Sequence, residues 1–459
     1  MTGSIRYIVI GLERMLAMRF SFMRKEQGSH PDDKKGYTEH KPIEEASVPK
    51  IMVFPVSMHI GAPAEPIVEI GDQVKVGQKI AEEGGFISAH VYSSVSGEVI
   101  GIEERPSAGG GAVNSIIIKN DYQYTKADPI IEPGRASELT NDEITDTVRK
   151  AGIVGMGGAT FPTAVKLSPP PSSMIDTIIL NGAECEPYST SDHRVMLEYA
   201  DEIAQGIELV ERLYPQLANI YVGIEDNKMD AIKVMKEATA HIDKVTVQPL
   251  PSKYPQGSEK NLIQNLTGRE VQPGTLPADN HIILMNVSTC RQIWRACELG
   301  EPLIERIVSV AGDPIKEPKN LKVKIGTPMD SLIEDCGGFT AVPGKVLSGG
   351  PMMGKACDDL GTPIIKGMTA VTVLTPQEAE VGERQDCIMC AECLHVCPVS
   401  LQPILISEAF ERGDIDKAKE LGAMDCIECG NCSFICPSKI PLLENIRGAK
   451  AAIKAAEEG

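Results

Sequence analysis

Eight of the thirteen cysteines lie in two short runs near the C-terminus. Both runs follow the pattern C-x2-C-x2-C-x3-C-P, which is the spacing of bacterial [4Fe–4S] ligands. Three closely spaced thiolates of such a run bind one cluster, and the fourth cysteine reaches the other cluster. The spacing therefore predicts one cluster on Cys387, Cys390, Cys393 and Cys436, and a second cluster on Cys426, Cys429, Cys432 and Cys397.

Zinc is the alternative metal for such a segment. A pair of zinc ribbons uses about two thiolate pairs per ion, which leaves the third cysteine and the final proline of each run unexplained. We therefore predict iron–sulfur clusters. Two clusters at close spacing carry electrons, so the segment is predicted to transfer electrons and not to catalyse hydrolysis.

A glycine-rich loop, GMGGATFPT at 155–163, is the second feature that could do chemistry. Pro162 is well placed to begin the next helix, so backbone N–H groups and a helix N-terminus could bind a phosphate. Lys166, one turn into that helix, could add a positive charge. Because the loop follows a predicted helix, unlike the strand-borne G-x-G-x-x-G motif, an ordinary tight turn is the alternative.

Polar residues follow three further predicted strands or strand-to-helix loops. Ligands in open α/β sheets bind beyond the carboxyl ends of the strands, so these loops could enclose a cofactor. A solvated carboxylate rim or a metal site is the alternative. The residues are Asn181, Glu184 and Glu186, then Tyr254, Gly257 and Glu259, then Asn286 and Thr289.

Alternating helices and strands must position these loops. Thr140 and Glu143 form a capping-box signature before a helical repeat. We predict strands at 176–180, 219–224, 244–250 and 281–287, with helices such as 230–239 and 258–266 between them. This alternation predicts a mostly parallel sheet.

The flanking regions have different patterns. Residues 40–125 contain short strands and resemble the barrel-sandwich fold of biotinyl and lipoyl carriers. No lysine occurs between Lys79 and Lys119, and Phe86 sits near the place of the modified lysine, so we expect the fold without the swinging arm. Residues 306–375 suggest a β-grasp module. The cluster segment has helical periodicity at 403–412, 415–421 and 445–458.

Composition limits the possible partners and compartment. The formal net charge of −19 disfavours nucleic acid and suits docking to basic partners. The five other cysteines are scattered, which is typical of a reducing cytoplasm, and no apolar run is long enough to span a bilayer.

The first 25 residues are basic and partly apolar, with Glu13 as their one acidic residue. They lack the apolar core and cleavage site of a signal peptide. An interfacial amphipathic helix, an ordered extension, and a start site assigned too early, with Met23 as the true start, are the alternatives.

Six motifs together resemble those of the C subunits of Rnf complexes, the membrane-associated ferredoxin:NAD+ oxidoreductases. The likeness runs from about residue 27 to about residue 440, nearly the whole chain. The motifs are HPDDKK at 30–35, GMGGATFPT at 155–163, NGAECEP at 181–187, GGPMMG at 349–354, and the two cysteine runs.

That family is similar to the flavin- and NADH-binding subunit of respiratory complex I. The resemblance implies that Lys166 and Asn181 contact FMN, and that Phe161 and Glu186 face the dinucleotide. Glu186 and Glu259 are the predicted catalytic carboxylates. The other predicted cofactor-binding residues are Gly155, Gly157, Gly158, Glu184, Tyr254, Gly257, Asn286 and Thr289. The chain departs from the pattern at Ala183, where an aspartate is expected, at Met156, where an arginine is expected, and at Pro169, in place of a second stacking aromatic.

The resemblance implies a multidomain α/β architecture. The expected domains are an N-terminal extension and entry segment (1–39), a barrel-sandwich domain (40–125), a Rossmann-like FMN/NAD(H) domain (126–305), a β-grasp domain (306–375) and a helical ferredoxin-like domain with two [4Fe–4S] clusters (376–459).

The implied activity is hydride exchange between NAD(H) and FMN, with single electrons passing between FMN and the clusters. Other Rnf subunits, integral and ferredoxin-like, are the implied partners. Ferredoxin would act indirectly, and the chain would be peripheral on the cytoplasmic side of the cell membrane. A cobalamin reductase built from similar modules and a flavin-free electron relay are the alternatives.

Overall fold

The computed structural model describes residues 27–458. The basic N-terminal stretch, with its predicted interfacial helix and the alternative start at Met23, lies outside the described residues. Within the described residues, no helix combines the length and the apolar character needed to cross a membrane.

Seventeen strands are present in the described residues. In chain order they are β1 (Ile43–Glu45), β2 (Ile51–Pro55), β3 (Glu65–Pro66), β4 (Gln73–Val74), β5 (Lys79–Glu82), β6 (Val91–Tyr92), β7 (Gly97–Pro106), β8 (Ala112–Asn120), β9 (Thr177–Gly182), β10 (Asn219–Glu225), β11 (Val245–Leu250), β12 (Ile282–Asn286), β13 (Glu305–Ala311), β14 (Lys319–Lys324), β15 (Lys345–Ser348), β16 (Lys355–Ala356) and β17 (Ala370–Leu374).

The α-helices of the described residues, in chain order, are α1 (Asn141–Lys150), α2 (Thr163–Leu167), α3 (Ser191–Glu198), α4 (Ala200–Arg212), α5 (Met229–Ala238), α6 (Glu259–Thr267), α7 (Val287–Leu299), α8 (Met329–Asp335), α9 (Pro376–Ala379), α10 (Glu392–His395), α11 (Pro403–Glu411), α12 (Ile415–Glu420), α13 (Asn431–Ile435) and α14 (Leu442–Glu458).

The predicted parallel sheet is confirmed. Its strand order is β11-β10-β9-β12, and all three pairings are parallel. The strands are continuous apolar runs because helices cover both faces of such a sheet, and Ile178, Leu180, Val222 and Ile224 are fully buried. The capping box of α1 is also confirmed, with Thr140 and Glu143 bonding each other's backbone N–H.

Two small antiparallel sheets form the barrel-sandwich region. Their strand orders are β2-β8-β7-β4 and β3-β5-β6. One predicted boundary differs from the structure: β1 pairs in parallel with β14 and so belongs to the six-stranded sheet β1-β14-β13-β17-β15-β16. β1 has only three residues and no buried one, so its sequence carries no alternation that could show which sheet it joins.

The described chain divides into two compact units. The first comprises Asp32–Ser252 and Gln256–Glu380, and contains all four sheets. The second comprises the chain from Val381 onward, the stretch that ends at Pro31, and the short insert Lys253–Pro255. Its helices α11, α12 and α14 confirm the predicted helical segments, and Ile406, Ile446 and Ile453 lie in its core.

Candidate redox centres

The glycine loop is folded back on itself at the carboxyl edge of the parallel sheet. The Gly155 N–H donates to the Phe161 carbonyl (2.8 Å), and the Met156 N–H donates to Thr289 Oγ1 (2.8 Å). A Cβ at Gly157 would lie 3.0 Å from Asn286 Nδ2, so the backbone lies directly against that side chain. The loop is therefore fixed to the start of α7.

One face of this loop is available to a ligand. Gly158 has a left-handed φ of 72°, and a Cβ built there would meet nothing within 4 Å. In the described part of the chain, the N–H groups of Gly157, Gly158 and Ala159 have no acceptor. Three free donors beside open space fit a phosphate-bearing cofactor.

The helix that supports this site differs from the expected one. α2, which follows the loop, has only five residues, so its dipole is small because few peptide units align. α7 has thirteen residues, and Asn286 caps it by accepting the Ser288 N–H (2.8 Å). The loop thus lies against the N-terminus of α7, a feature that the sequence order of loop and helix does not reveal.

Asn181 and Asn286 lie side by side at the ends of β9 and β12, where they are register partners. Asn181 Nδ2 donates to the Gly257 carbonyl (2.8 Å), and Asn181 Oδ1 accepts from the Ala183 N–H (3.1 Å). The structure therefore brings together the loop after β9, the loop before α6 and the glycine loop, as the sequence predicts for a shared site.

Lys166 and Glu259 also meet at this edge. The Lys166 ammonium donates to the Leu284 carbonyl (2.9 Å) and lies 3.7 Å from Glu259 Oε2. Both side chains are partly exposed. A cation and a carboxylate are thus available beside the glycine loop.

Two buried lysines hold the backbone of the 181–189 loop. Lys35 Nζ donates to the carbonyls of Glu184, Glu186 and Ser189 (2.7–3.0 Å). Lys228 Nζ donates to the Ala183 carbonyl (3.1 Å) and to Glu225 Oε2 (2.9 Å). Burial lowers the pKa of Lys35, and the charge of Lys228 lowers it further. Sequence reasoning missed this support, because Lys35 lies about 150 residues from the loop it holds.

Glu184 has a different environment from the one predicted for a cofactor contact. Its carboxylate accepts from the N–H groups of Asp192 (2.8 Å) and His193 (3.0 Å), and from the hydroxyl of Ser189 (3.0 Å). Burial would raise the pKa of Glu184, but Lys35, Lys228 and the two N–H groups hold it below its usual range. We therefore assign Glu184 to capping the first turn of α3.

Glu186, a predicted catalytic carboxylate, binds the GGPMMG segment. Its Oε1 accepts from the N–H groups of Met352 (2.7 Å) and Met353 (3.1 Å). A Cβ at Gly350 would lie 2.3 Å from Glu186 Cγ, so this close approach requires glycine. The motif thus fixes the Glu186 carboxylate in place, and the catalytic role of Glu186 stays a prediction.

Asp192 links α3 to the end of β12, and the sequence did not single it out. Its carboxylate accepts from Asn286 Nδ2 (2.6 Å) and from the Ser288 hydroxyl (2.7 Å). Burial and the charge of Glu184 raise the pKa of Asp192 to about 6, while Arg306 opposes this shift. Asp192 therefore fixes the Asn286 amide group, whose Nδ2 is also the atom nearest to Gly157.

Phe161 and Tyr254, the two aromatic residues predicted to contact the cofactor, lie in different surroundings. Phe161 is partly buried, and its carbonyl closes the glycine loop. Tyr254 is 1 % exposed and lies in the insert that belongs to the cluster-bearing unit. Its hydroxyl donates to the Cys429 carbonyl (2.7 Å), and its own carbonyl accepts from Asn431 Nδ2 (3.1 Å). Tyr254 thus lies beside Cys429, a predicted cluster ligand, and its flavin contact stays a prediction.

Each predicted cysteine set is gathered in the second unit. The charges of Cys436, Cys390 and Cys387 add to burial in raising the pKa of Cys393. Burial raises the pKa of Cys429 and Cys432 to about 12, and the charges of Cys397 and Cys426 act in the same direction. The fourth cysteine of each run thus acts electrostatically on cysteines of the other run, and the assignment of the eight cysteines to two clusters stays a prediction.

The second set has a cavity suited to a cluster. Its walls contain all four predicted cysteines, Cys397, Cys426, Cys429 and Cys432, and apolar side chains that include Val399, Leu401 and Ile446. Thiolates in an apolar shell fit an iron–sulfur cluster. In residues 27–458, no group of three His, Cys, Asp or Glu side chains converges on a single metal ion. A cubane spreads its thiolates over four iron atoms, so convergence on one point is not required.

Comparisons with known proteins agree with these two centres. The model of the Nuo51 FMN-binding domain matches residues 148–295, and that of the 4Fe-4S dicluster domain matches residues 380–437. The RnfC barrel sandwich hybrid domain matches residues 23–123, and the SLBB domain, the expected β-grasp type, matches residues 307–356. The chain therefore carries an FMN-binding domain and a domain for two [4Fe–4S] clusters.

Two curated relatives are similar over most of their length. The C subunit of the proton-translocating ferredoxin:NAD(+) oxidoreductase complex of Clostridium ljungdahlii is 47% identical over 393 residues, covering 86% of each chain. The C subunit of the Na(+)-translocating complex of Acetobacterium woodii is 45% identical over 429 residues, covering 93% of this chain and 96% of the relative.

A solved structure shares the fold. The NAD+-reducing [NiFe]-hydrogenase in its air-oxidized state aligns with a TM-score of 0.51 and 17% identity, covering 71% of this chain and 68% of the other chain. Together with the matched motifs and domains, the two curated relatives show that the chain belongs to the family of C subunits of ion-translocating ferredoxin:NAD(+) oxidoreductase complexes.

Proposed function

We propose that this chain is the flavin- and nucleotide-binding subunit of a membrane-bound, ion-translocating ferredoxin:NAD+ oxidoreductase. It exchanges hydride between NAD(H) and FMN, and single electrons between FMN and two [4Fe–4S] clusters that are linked to ferredoxin oxidation. Nicotinamide transfers electrons in pairs, and iron–sulfur clusters transfer them one at a time, whereas FMN can do both. The observation that carries the proposal is that one chain holds both a glycine-loop site and two complete cysteine sets.

The chain's own residues bind and orient the cofactor. The free N–H groups of Gly157, Gly158 and Ala159 would bind the FMN phosphate, since backbone N–H groups bind phosphate without a change in protein charge. Lys166 would supply a positive charge, and Asn181 and Asn286 would supply polar contacts at the strand ends. Thr289 holds the loop in place through Met156.

The nucleotide is expected to contact the same edge of the sheet. Glu259 begins α6 beside Lys166 and is the carboxylate we propose to touch the nucleotide. Phe161 would pack against the dinucleotide. Glu186 accepts hydrogen bonds from the N–H groups of Met352 and Met353, so its proposed contribution is to position its loop.

The proposed partners follow from the relatives, which are named as subunits of multisubunit complexes. We propose that integral membrane subunits and a ferredoxin-like subunit hold this chain at the cytoplasmic face of the cell membrane. Ferredoxin would supply electrons through those subunits. Coupling to Na+ or H+ would reside in them, and the net charge of −19 makes nucleic acid a poor partner.

An anaerobic NADH titration of the purified, iron-reconstituted protein tests the proposal. We expect NADH to bleach the absorbance of a bound flavin, and the released cofactor to be FMN by mass. Intact clusters without flavin and without a response to NADH would contradict it and leave an electron relay. Specific reduction of an added corrinoid would favour the cobalamin reductase alternative.

A further inference from the structure

The two cysteine sets differ in their exposure to solvent. In the second set Cys397 and Cys429 are 7 % exposed, Cys432 is 8 % exposed and Cys426 is partly buried; in the first set only Cys436 is buried, at 8 %. Cys387 and Cys390 of the first set are exposed, as is every residue from Val381 to Cys390. A redox centre that must exchange electrons with another protein has to lie near the surface, and the first set meets that condition.

The short loop between the first two cysteines of each run provides an internal comparison. In the second run, Ile427 lines the cavity, and the carboxylate of Glu428 accepts from Arg447 Nε (2.9 Å) and Lys450 Nζ (2.6 Å) of α14. The C-terminal helix therefore fixes this loop.

The matching loop of the first run has no such cover. Ile388 is 68 % exposed and Met389 is 90 % exposed, although they occupy the positions of Ile427 and Glu428. Met389 has a left-handed φ of 56°, as Glu428 does, so the two loops share a backbone shape. Two large apolar side chains thus project into solvent beside the exposed thiols, which is the usual composition of a contact surface.

Acidic groups surround this apolar tip. Glu383, Asp386 and Glu392 are exposed, and among the described residues none forms an ion pair within 4 Å. Arg384 is the one basic residue of the loop, and its guanidinium is paired with Glu411 (2.7 Å). The loop 381–392 therefore presents an apolar centre with three carboxylates that form no ion pair within 4 Å. Lys439, whose side chain packs beside Gly382, and Arg384 are the basic groups next to them.

We propose that the loop 381–392 is the docking surface for a protein that carries one electron at a time and has basic side chains around an apolar contact. Electrons would pass between that protein and the iron–sulfur group held by Cys387, Cys390, Cys393 and Cys436. This inference rests on the proposed function. It adds which of the two cysteine sets lies next to the partner, and which kinds of side chain the partner's surface carries.

Each encounter moves one electron and no proton. In the direction that the test measures, the group on the four thiolates would lose one electron, the partner would gain it, and no covalent bond would form or break. Opposite charges on the two rims would steer the encounter, which speeds association at low salt. Contact of Ile388 and Met389 with the partner would exclude water around the exposed thiolates and shorten the distance to the partner's redox group.

Basic cytochrome c serves as the probe. Its redox-inert zinc form gives the dissociation constant, and its iron form gives the second-order rate of electron transfer from the reduced protein by stopped flow. The test variants are Glu383→Lys/Glu392→Lys and Met389→Asp, and the control is Leu405→Asp, which adds a carboxylate at a 41 % exposed apolar residue of the same unit. Iron content and the flavin response to NADH are recorded for every sample.

We expect wild-type binding to weaken at least tenfold between low salt and about 0.2 M salt, and the charge-reversed variant to bind and react at least tenfold more weakly. Met389→Asp should slow electron transfer, and Leu405→Asp should change neither quantity. Wild-type values in both test variants, or equal reaction with an acidic ferredoxin, would overturn the proposal. A dimer of this chain that Met389→Asp dissociates would also overturn it, since the surface would then bind a second copy. Loss of the NADH response in wild type would instead count against the proposed function.

Discussion

Lys166 has two different partners at the edge of the parallel sheet. Its ammonium donates to the Leu284 carbonyl, which fixes its position, and it lies 3.7 Å from Glu259, which balances part of its charge. Because α2 has only five residues, its N-terminus adds little positive potential. The ammonium is therefore a main source of local positive charge for an anionic cofactor.

Replacement of this charge should weaken flavin binding. In Lys166→Ala we expect the flavin-to-protein ratio after gel filtration to fall, with an affinity loss of about tenfold or more, since charged hydrogen bonds contribute roughly 1.5–3 kcal/mol. Iron content should stay at the wild-type value. Lys150→Ala is the control, because Lys150 is exposed and pairs with Asp146 on α1. Full flavin occupancy in Lys166→Ala would show that the ammonium has no part in binding.

At the scale of elements, regular patterns were predicted well and long-range contacts were not. The strands of the parallel sheet, the helix from Asn141 and the helices α11 and α12 follow from periodicity and capping residues that lie close together in sequence. The three-residue strand β1, the support by Lys35 and the burial of Tyr254 depend on residues far away in the chain. A local pattern cannot encode such partners.

The same limit applies to the candidate site. The meeting of Asn181, Asn286 and the glycine loop could be predicted, because these residues lie at the ends of neighbouring parallel strands. The capping role of Glu184 could not be predicted, because it depends on how the chain turns before α3 and brings the Asp192 N–H to the carboxylate. A carboxylate in a family motif has the same sequence signal whether it touches a cofactor or a backbone N–H.

One buried lysine joins the barrel-sandwich region to the start of the glycine loop. Lys366 Nζ donates to the carbonyls of His90 (2.5 Å) and Gly152 (2.8 Å). Burial lowers the pKa of Lys366 from 10.5 to about 7. The folded chain therefore binds fewer protons than the unfolded chain between pH 7 and about 10.5.

The free energy of unfolding should rise with pH between pH 7 and about 10.5, by at most about 1.4 kcal/mol per pH unit. Lys366→Met lacks this proton equilibrium, so its melting temperature should rise less than that of wild type between pH 7 and pH 9. The variant should also be less stable, because two buried carbonyls lose a donor. Lys50→Met, at an exposed position, is the control. Parallel curves of melting temperature against pH for wild type and Lys366→Met would contradict the prediction.

At the scale of the whole molecule, each predicted cluster site uses cysteines of both runs. Cys397 lies in the first run but lines the cavity of the second set with Cys426, Cys429 and Cys432. With this predicted assignment, neither run alone supplies a complete set of ligands, so the two sites would depend on each other.

A single cysteine substitution can test this exchange of ligands. Cys397→Ser should change the electron paramagnetic resonance signal in the same way as Cys429→Ser does, and not as Cys393→Ser does. Cys397 and Cys429 belong to one predicted set, whereas Cys393 belongs to the other. Cys357→Ser, outside both sets, is the control and should leave both signals intact. A Cys397→Ser spectrum that matches Cys393→Ser would show that each run binds its own cluster.

We expect a working flavin domain to need Lys35. Its ammonium lies beneath the 181–189 loop and is fixed to three carbonyls of it, whereas the FMN-binding domain model begins only at residue 148. A fragment cut at that boundary would keep every glycine and asparagine of the site but would leave those carbonyls without their shared donor. During synthesis, the entry segment leaves the ribosome long before the loop does, so the flavin site can be completed only when these distant parts of the chain meet.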